Sequence, residues 1–282
     1  MSDFNTNPLA KHFRQPSIHI SLPSKGNFWP EDSIELPING EIPVYPMTTR
    51  DEITLRTPDA LMNGSGLVSV MQSCCPNIKN AWLAPSIDID TILIAIRIAS
   101  YGHSMDLETN CPKCNESNLY AVDLRKSMES VVMPDYSIPV EINGMKIMLK
   151  PQPYKSTDKI SGLNYEEQKI LQTLQNQTLS AEEQNAVIEA QVKRLIDLTS
   201  MLLTASTDSI ITEDGIIVKD ESNINEFYQN AESKITRTIQ KRIEEIANEI
   251  RIKPMRVKCE KCDNEFDMSI DFNYSSFFAV GF

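Results

Sequence analysis

The sequence predicts an α+β fold: an N-terminal mixed α/β body with a four-cysteine ribbon interrupted by a long, mainly helical insertion that carries β-hairpins. Three observations predict it. Two Cys-x-x-Cys pairs, Cys111-Pro-Lys-Cys114 and Cys259-Glu-Lys-Cys262, are separated by 144 residues, and each lies between short strand-like stretches. Apolar residues alternate with period two near the start of the chain and around Asn143-Gly144 and Asp214-Gly215, the turn signals of hairpins. Between the pairs, two long stretches place Ile, Leu and Val three and four apart, the spacing of one helix face.

Residues 1–16 are expected to form a flexible arm that ends at Pro16. Residues 17–22, Ser-Ile-His-Ile-Ser-Leu, alternate as a strand, and 23–30 form a loop with an aromatic anchor. Short extended pieces over 34–47 surround Asn39-Gly40, a hairpin turn signal. From Thr48 the period changes. Thr49 is expected to cap a helix to Arg56, with Asp51 and Glu52 in the first turn, where the helix dipole favours acids. Pro58 opens another short helix, Asn63-Gly64-Ser65-Gly66 breaks it, and it resumes over 67–75. Asp88 is expected to cap a core helix over 91–101, with Ile92, Ala95, Ile96 and Ala99 on one stripe and Gly102 as its stop. The first knuckle follows, flanked by strands at 105–109 and 119–124, and then a hairpin over 136–150.

The insertion predicts a helix over 165–177 and a capping box of Ser180 with Glu183 that starts a longer helix reaching Thr204. Its stripe is Ile188, Val192, Leu195, Leu198 and Leu202. A hairpin over 207–219 leads to a last helical stretch from Ser222, with Ile235, Ile239, Ile243, Ile246 and Ile250 in line. The two stripes are expected to pack as an antiparallel pair. Pro254 ends the helix, and the second knuckle with a strand over 266–272 completes the ribbon. The organisation is therefore an arm (1–16), a body with the first knuckle (17–135), a hairpin and helical insertion (136–253), the second knuckle (254–275) and an apolar tail (276–282).

Thiolates two residues apart on a tight turn bind a metal ion as a pair, and two such turns complete a tetrahedral site. Cys111, Cys114, Cys259 and Cys262 are therefore expected to share one structural Zn²⁺. Such a site supplies ~10–16 kcal/mol of apparent binding free energy near neutral pH, so the ion acts as a folding element. Four thiolates leave no open position for substrate or an activated water, and catalysis there is not expected. Elsewhere the sequence holds no phosphate loop, nucleophile elbow or His-Glu-x-x-His. His12, His19 and His103 are scattered. Glu166-Glu167, Glu182-Glu183 and Glu244-Glu245 point 100° apart on helices and read as solvated charge. Adjacent Cys74 and Cys75 read as buried helix residues.

A net charge of −12 argues against a nucleic-acid partner, because phosphate binding relies on Lys and Arg. The second knuckle is locally basic at Arg251, Lys253, Arg256, Lys258 and Lys261, but Glu260, Asp263 and Glu265 dilute it. No secretory leader opens the chain, and no apolar run reaches the ~18 residues needed to cross a bilayer, so no membrane partner is expected and the thiols are expected to stay reduced in a cytoplasm. The tail, Ser276-Phe-Phe-Ala-Val-Gly-Phe282, is apolar at a terminus. Phe277, Phe278 and Phe282 are candidate partner-binding residues, unless the tail docks on the chain's own core.

Several segments together carry a resemblance: Leu22-Pro-Ser-Lys-Gly26, Tyr45-Pro-Met-Thr-Thr-Arg-Asp-Glu52, Leu55-Arg-Thr-Pro-Asp-Ala-Leu61, Ile96-Arg-Ile-Ala-Ser-Tyr-Gly102 and Cys111-Pro-Lys-Cys114. In this combination the chain resembles the T4-type bacteriophage baseplate protein family, over residues 17–125 and again at the closing Cys pair. The resemblance implies a non-enzymatic protein of a contractile phage tail, made late in the host cytoplasm and built into the baseplate of the virion. Its implied role is baseplate hub assembly, with other hub, tail tube or tape-measure proteins as partners. It leaves Arg50, Asp51 and Glu52 to pair within the fold or to face a partner, the first being preferred. Two other classes compete: a transient tail-assembly chaperone not retained in the virion, and a zinc-ribbon nucleic-acid-binding protein.

Overall fold

The computed structural model describes residues 7–57, 64–163, 181–250, 252–269 and 277–278, without the side chains of 181–188 and 191. The α+β class holds, with helices and small antiparallel sheets around three hydrophobic clusters.

The first cluster belongs to the N-terminal body. Strands β1 (Ile18–Ser21) and β2 (Glu41–Val44) pair antiparallel, Ile18 opposite Val44, and turn Ile20, Ile42 and Val44 inward. The Asn39-Gly40 turn forms, with Gly40 at φ +73 and its N–H on Pro37 O at 2.9 Å, but it makes no hairpin. It feeds β2 towards β1, because the apolar face of β2 matches that of the earlier strand. Helix α1 (Thr49–Leu55) is capped by Thr48, one residue before the expected cap, through a reciprocal box with Asp51. Helix α2 (Ser65–Cys74) starts at Gly64, which sits in the left-handed region at φ +66. Gly64 is therefore the residue before the helix, and Ser65 and Gly66, expected in the break, already belong to the first turn; Asn63 lies outside the described residues. The short helix expected from Pro58 lies outside the described residues.

Helix α3 (Ser86–Tyr101) is the axis of the body and ends at Gly102, as its spacing predicts. It is buried nearly all round: Ile89, Leu93 and Ile94 join Ile92, Ala95 and Ile96 inside, since β1, β2, α2 and helix α4 (Leu124–Glu129) all pack on it. Asp88 is not its cap, because the helix begins after Pro85. The fully buried Asp88 carboxylate instead accepts bonds from Ser24 N–H (2.8 Å), Ser24 Oγ (2.5 Å) and Trp29 Nε1 (2.7 Å), pinning the 23–30 loop onto α3.

Both terminal segments dock on this body through arginines. Arg14 lies in the stretch expected as a flexible arm, yet donates to Pro46 O (2.9 Å), Ser73 O (2.7 Å) and Ser73 Oγ (2.9 Å) and pairs with Asp51 at 3.3 Å. Asp51 and Glu52 both find partners within the fold, Glu52 accepting from Tyr101 OH at 2.9 Å.

The second cluster lies in the insertion. Strands β5 (Val140–Ile142), β6 (Met145–Leu149), β7 (Thr207–Ile211) and β8 (Ile217–Val218) form one antiparallel sheet in that order, and both predicted hairpins are present. Residues 154–163 form helix α5. Helix α6 (Ala181–Ala205) precedes β7. The last helical stretch is two helices, α7 (Glu221–Asn230) and α8 (Ser233–Ile250), broken where Ala231 turns extended. That break alters the packing. The C-terminal half of α6 lies on α7, Thr207 Oγ1 at the start of β7 meets Tyr228 OH of α7 at 2.7 Å, and α8 turns Ile235, Ile239 and Ile246 into the sheet core. The two long stripes therefore meet only in part: Leu202 and Leu203 share the cluster with the isoleucines of α8, while Val192 and Leu195 stand exposed at the other end of α6. The helix expected over 165–177 and the Ser180 box lie outside the described residues.

Candidate metal centre

Two hairpins build the third cluster: β3 (Ser104–Asn110) with β4 (Ser117–Asp123), and β9 (Met255–Lys258) with β10 (Glu265–Met268). The predicted strand over 266–272 is described only to Met268. Val122 from one hairpin and Val257 and Met268 from the other are buried together. Tyr120 OH reaches Lys258 O at 3.0 Å and its ring meets Phe266 edge-on. The contact is small, so apolar burial alone holds the two hairpins weakly.

The connecting turns repeat each other atom for atom. Cys111 N–H donates to Glu116 O and Cys259 N–H to Asn264 O, both at 2.9 Å. Asn115 N–H returns to Cys111 O at 2.9 Å and Asp263 N–H to Cys259 O at 3.0 Å. Asn115 at φ 56 and Asp263 at φ 55 take the same left-handed step, a conformation Asn and Asp tolerate better than other side chains. Each turn thus aims both of its sulfurs to one side.

The structure brings all four predicted ligands together, with Cys111, Cys114, Cys259 and Cys262 sulfurs within 4.8 Å of one another. Across the hairpins, Cys111 Sγ and Cys262 Sγ are 3.7 Å apart and Cys114 Sγ and Cys259 Sγ 3.6 Å. A tetrahedron with ~2.3 Å metal–sulfur bonds has edges of about 3.8 Å, so the donor set fits a tetrahedral soft-metal ion. Burial pushes the Cys111 and Cys259 thiols up, but backbone N–H donors of their own turns outweigh it and hold both below the ordinary thiol value, Cys259 at about 6. At Cys114 a backbone donor at Glu116 is outweighed by burial and the neighbouring sulfurs, which push it up to about 12. Crowded sulfurs part with protons unequally, and a cation among them removes the penalty for the later ones.

One residue of this centre escaped sequence reasoning. Asn118, buried on β4, donates Nδ2 to Glu116 O (2.8 Å) and to Cys259 Sγ (3.6 Å), and its Oδ1 accepts Glu260 N–H at 3.0 Å. It bolts the first turn to the second. Its only sequence signal is a polar residue at an inward register position of a strand. The basic look of the second knuckle is answered by acids: Lys258 pairs with Asp263 (2.6 Å), Arg256 with Asp267 (3.2 Å) and Lys261 with Glu116.

The candidate partner-binding residues are placed elsewhere. Phe277 and Phe278 are 1% and 7% exposed in the first hydrophobic cluster, their rings edge-to-face at 5.0 Å. Arg97 of α3 donates to Phe277 O at 2.8 Å and lies over the Phe277 and Tyr101 rings. Of the two placements expected for the tail, these two rings take the one on the chain's own core, where apolar burial holds them. Phe282 lies outside the described residues.

The family model described as T4 bacteriophage base plate protein matches residues 29–279, which spans the body, the insertion and both knuckles. The chain belongs to this family. No curated protein and no solved structure matches it. As a baseplate protein it is a structural part of a phage tail that works among other baseplate and tail proteins. Among the described residues of this baseplate protein, no helix is long and apolar enough to cross a membrane.

Proposed function

We propose that the protein is a non-enzymatic component of the baseplate hub, made in the host cytoplasm and built into the tail, which acts by contacts with other hub, tail tube or tape-measure proteins. The family match along most of the chain carries this reading. One Zn²⁺ held by Cys111, Cys114, Cys259 and Cys262 is its structural cofactor, supported by sulfur spacings near those of a tetrahedral thiolate site. The ion supplies cohesion that the small ribbon core lacks, and the four sulfurs, once deprotonated, hold the two hairpins in register. Nucleic-acid binding is disfavoured by the net charge of −12 and by the pairing of Arg256, Lys258 and Lys261 of the second knuckle with acids.

Affinity capture of the tagged chain from infected cells, followed by mass spectrometry, tests the role. Hub, tube or tape-measure proteins are expected in the eluate, and the chain itself in purified tails at a whole number of copies per baseplate. Capture without any tail protein sinks the hub reading. Capture together with absence from finished particles points instead to a transient chaperone. Elemental analysis of the purified protein is expected to give one zinc per chain.

A further inference from the structure

The sheet of the insertion has one open edge. At one end of it β5 packs against α8, while β8 at the other end is paired on one side only among the described residues. Thr212 N–H donates to Ile216 O at 2.9 Å, and Ile210 stands opposite Val218. By antiparallel alternation, residues 216 and 218 turn their peptide groups towards β7, so Ile217 turns its N–H and C=O outward. An outward pair at a sheet edge is a template for a further strand. Ile216 and Ile217 point to opposite faces and are 61% and 60% exposed, so an added strand would cover an isoleucine on each face.

Charge decides what fits there. Glu213-Asp214 precede the strand and Asp220-Glu221 follow it, all four exposed, with Lys219 the one base in the stretch. A second copy is therefore a poor occupant. Antiparallel pairing of two copies about Ile217 sets Asp214 opposite Asp220 and Glu213 opposite Glu221, and like charges directly opposite each other destabilise a strand pair. We propose that β8 is a docking edge for an extended segment of another tail protein, apolar in its middle and carrying Lys or Arg at both ends. The segment adds as a fifth strand beside β8. Its backbone bonds Ile217, its apolar side chains cover Ile216 and Ile217, and its bases meet the two acid pairs. The inference rests on the reading that the chain works through protein contacts, but not on zinc.

The test uses the full chain and a synthetic probe, Lys-Lys-Thr-Val-Val-Val-Thr-Lys-Lys, which sets a lysine opposite each of the four acids. Amide NMR shifts on titration are expected to centre on 210–219 and to weaken with salt. Each exposed opposite-charge pair is worth up to about five-fold in affinity, so the same peptide with glutamates for lysines is expected to bind at least ten-fold more weakly. Ile217→Pro removes the outward N–H and leaves the bonds to β7, so it is expected to keep the melting temperature and lose the probe. No shift at millimolar probe, shifts centred elsewhere, or equal binding of the lysine and glutamate peptides overturns the docking edge. In infected cells, wild type is expected to capture a tail protein that Ile217→Pro does not. Equal capture by both overturns the edge and leaves the hub reading standing, whereas probe binding without any tail protein captured sinks the hub reading alone.

Discussion

Replacing Asn118 by alanine removes three hydrogen bonds and almost no apolar contact, which makes it the sharpest probe of how the two knuckles are joined. In the wild type its amide donates to Glu116 O and towards Cys259 Sγ while its carbonyl takes Glu260 N–H. After the change, Glu260 N–H loses its partner in a place only 5% exposed at residue 118, Glu116 O is left with Cys111 N–H alone, and Cys259 loses a donor that favours its thiolate. Groups of this kind behind a metal ligand are worth 10–100-fold in affinity, which is about 1.4–2.7 kcal/mol. Competition against a chelator of known affinity reads this directly, and thermal melting of the metal-bound form reads the same loss as stability. Asn118→Asp sharpens the test. It keeps the acceptor for Glu260 N–H but aims a carboxylate oxygen at a carbonyl and a thiolate, so it should weaken metal binding at least as much as alanine. Affinity within two-fold of wild type for both variants would refute the reasoning that Asn118 organises the centre.

Asp88→Asn should cost about 3–5 kcal/mol in urea unfolding, because the amide turns a donor towards one of the three donors that the carboxylate now accepts. Burial outweighs those donors and raises the Asp88 pKa, so its contribution is fully present below the ordinary carboxylate value and declines as pH rises through the folded-state value. The cost of Asp88→Asn should therefore grow as pH is lowered; a cost that grows with pH would contradict this. Arg14→Met should destabilise the body by about 2–4 kcal/mol, since it strips the 7%-exposed Asp51 side chain of its cation, leaving it only the bonds from Thr48, and takes a donor from two backbone carbonyls; an unchanged unfolding midpoint would show that the N-terminal segment is not clamped. Metal retention should fall on acidification as protons compete for the four sulfurs, and a retention curve flat from neutral pH to about pH 4 would argue against thiolate ligation.

The parts of this fold that were legible in the sequence are those with local causes. Asn143-Gly144 and Asp214-Gly215 fix their hairpins because a tight turn demands positive φ, and Gly102 stops α3 for the same backbone reason. The metal ligands were legible because two thiols at that spacing have few other uses, although spacing alone did not show that distant turns would meet. What stayed hidden depends on tertiary partners. Asp88 looks like a helix cap until the 23–30 loop is folded back onto it. Arg14 looks like part of a polar arm until Ser73 and Asp51 are placed beside it. The Ile235–Ile250 spacing marks an apolar face correctly, but not that the sheet residues Ile147, Leu149 and Ile210 share it with the end of α6.

Phe277 and Phe278 join a core most of whose members are made by the end of α4, long before them. A chain released early thus carries α1 to α4 and a hole where the largest fully buried side chain among the described residues belongs. The core records whether translation reached residue 277, and a truncated chain betrays itself by an open, sticky interior before it is ever offered to a growing tail.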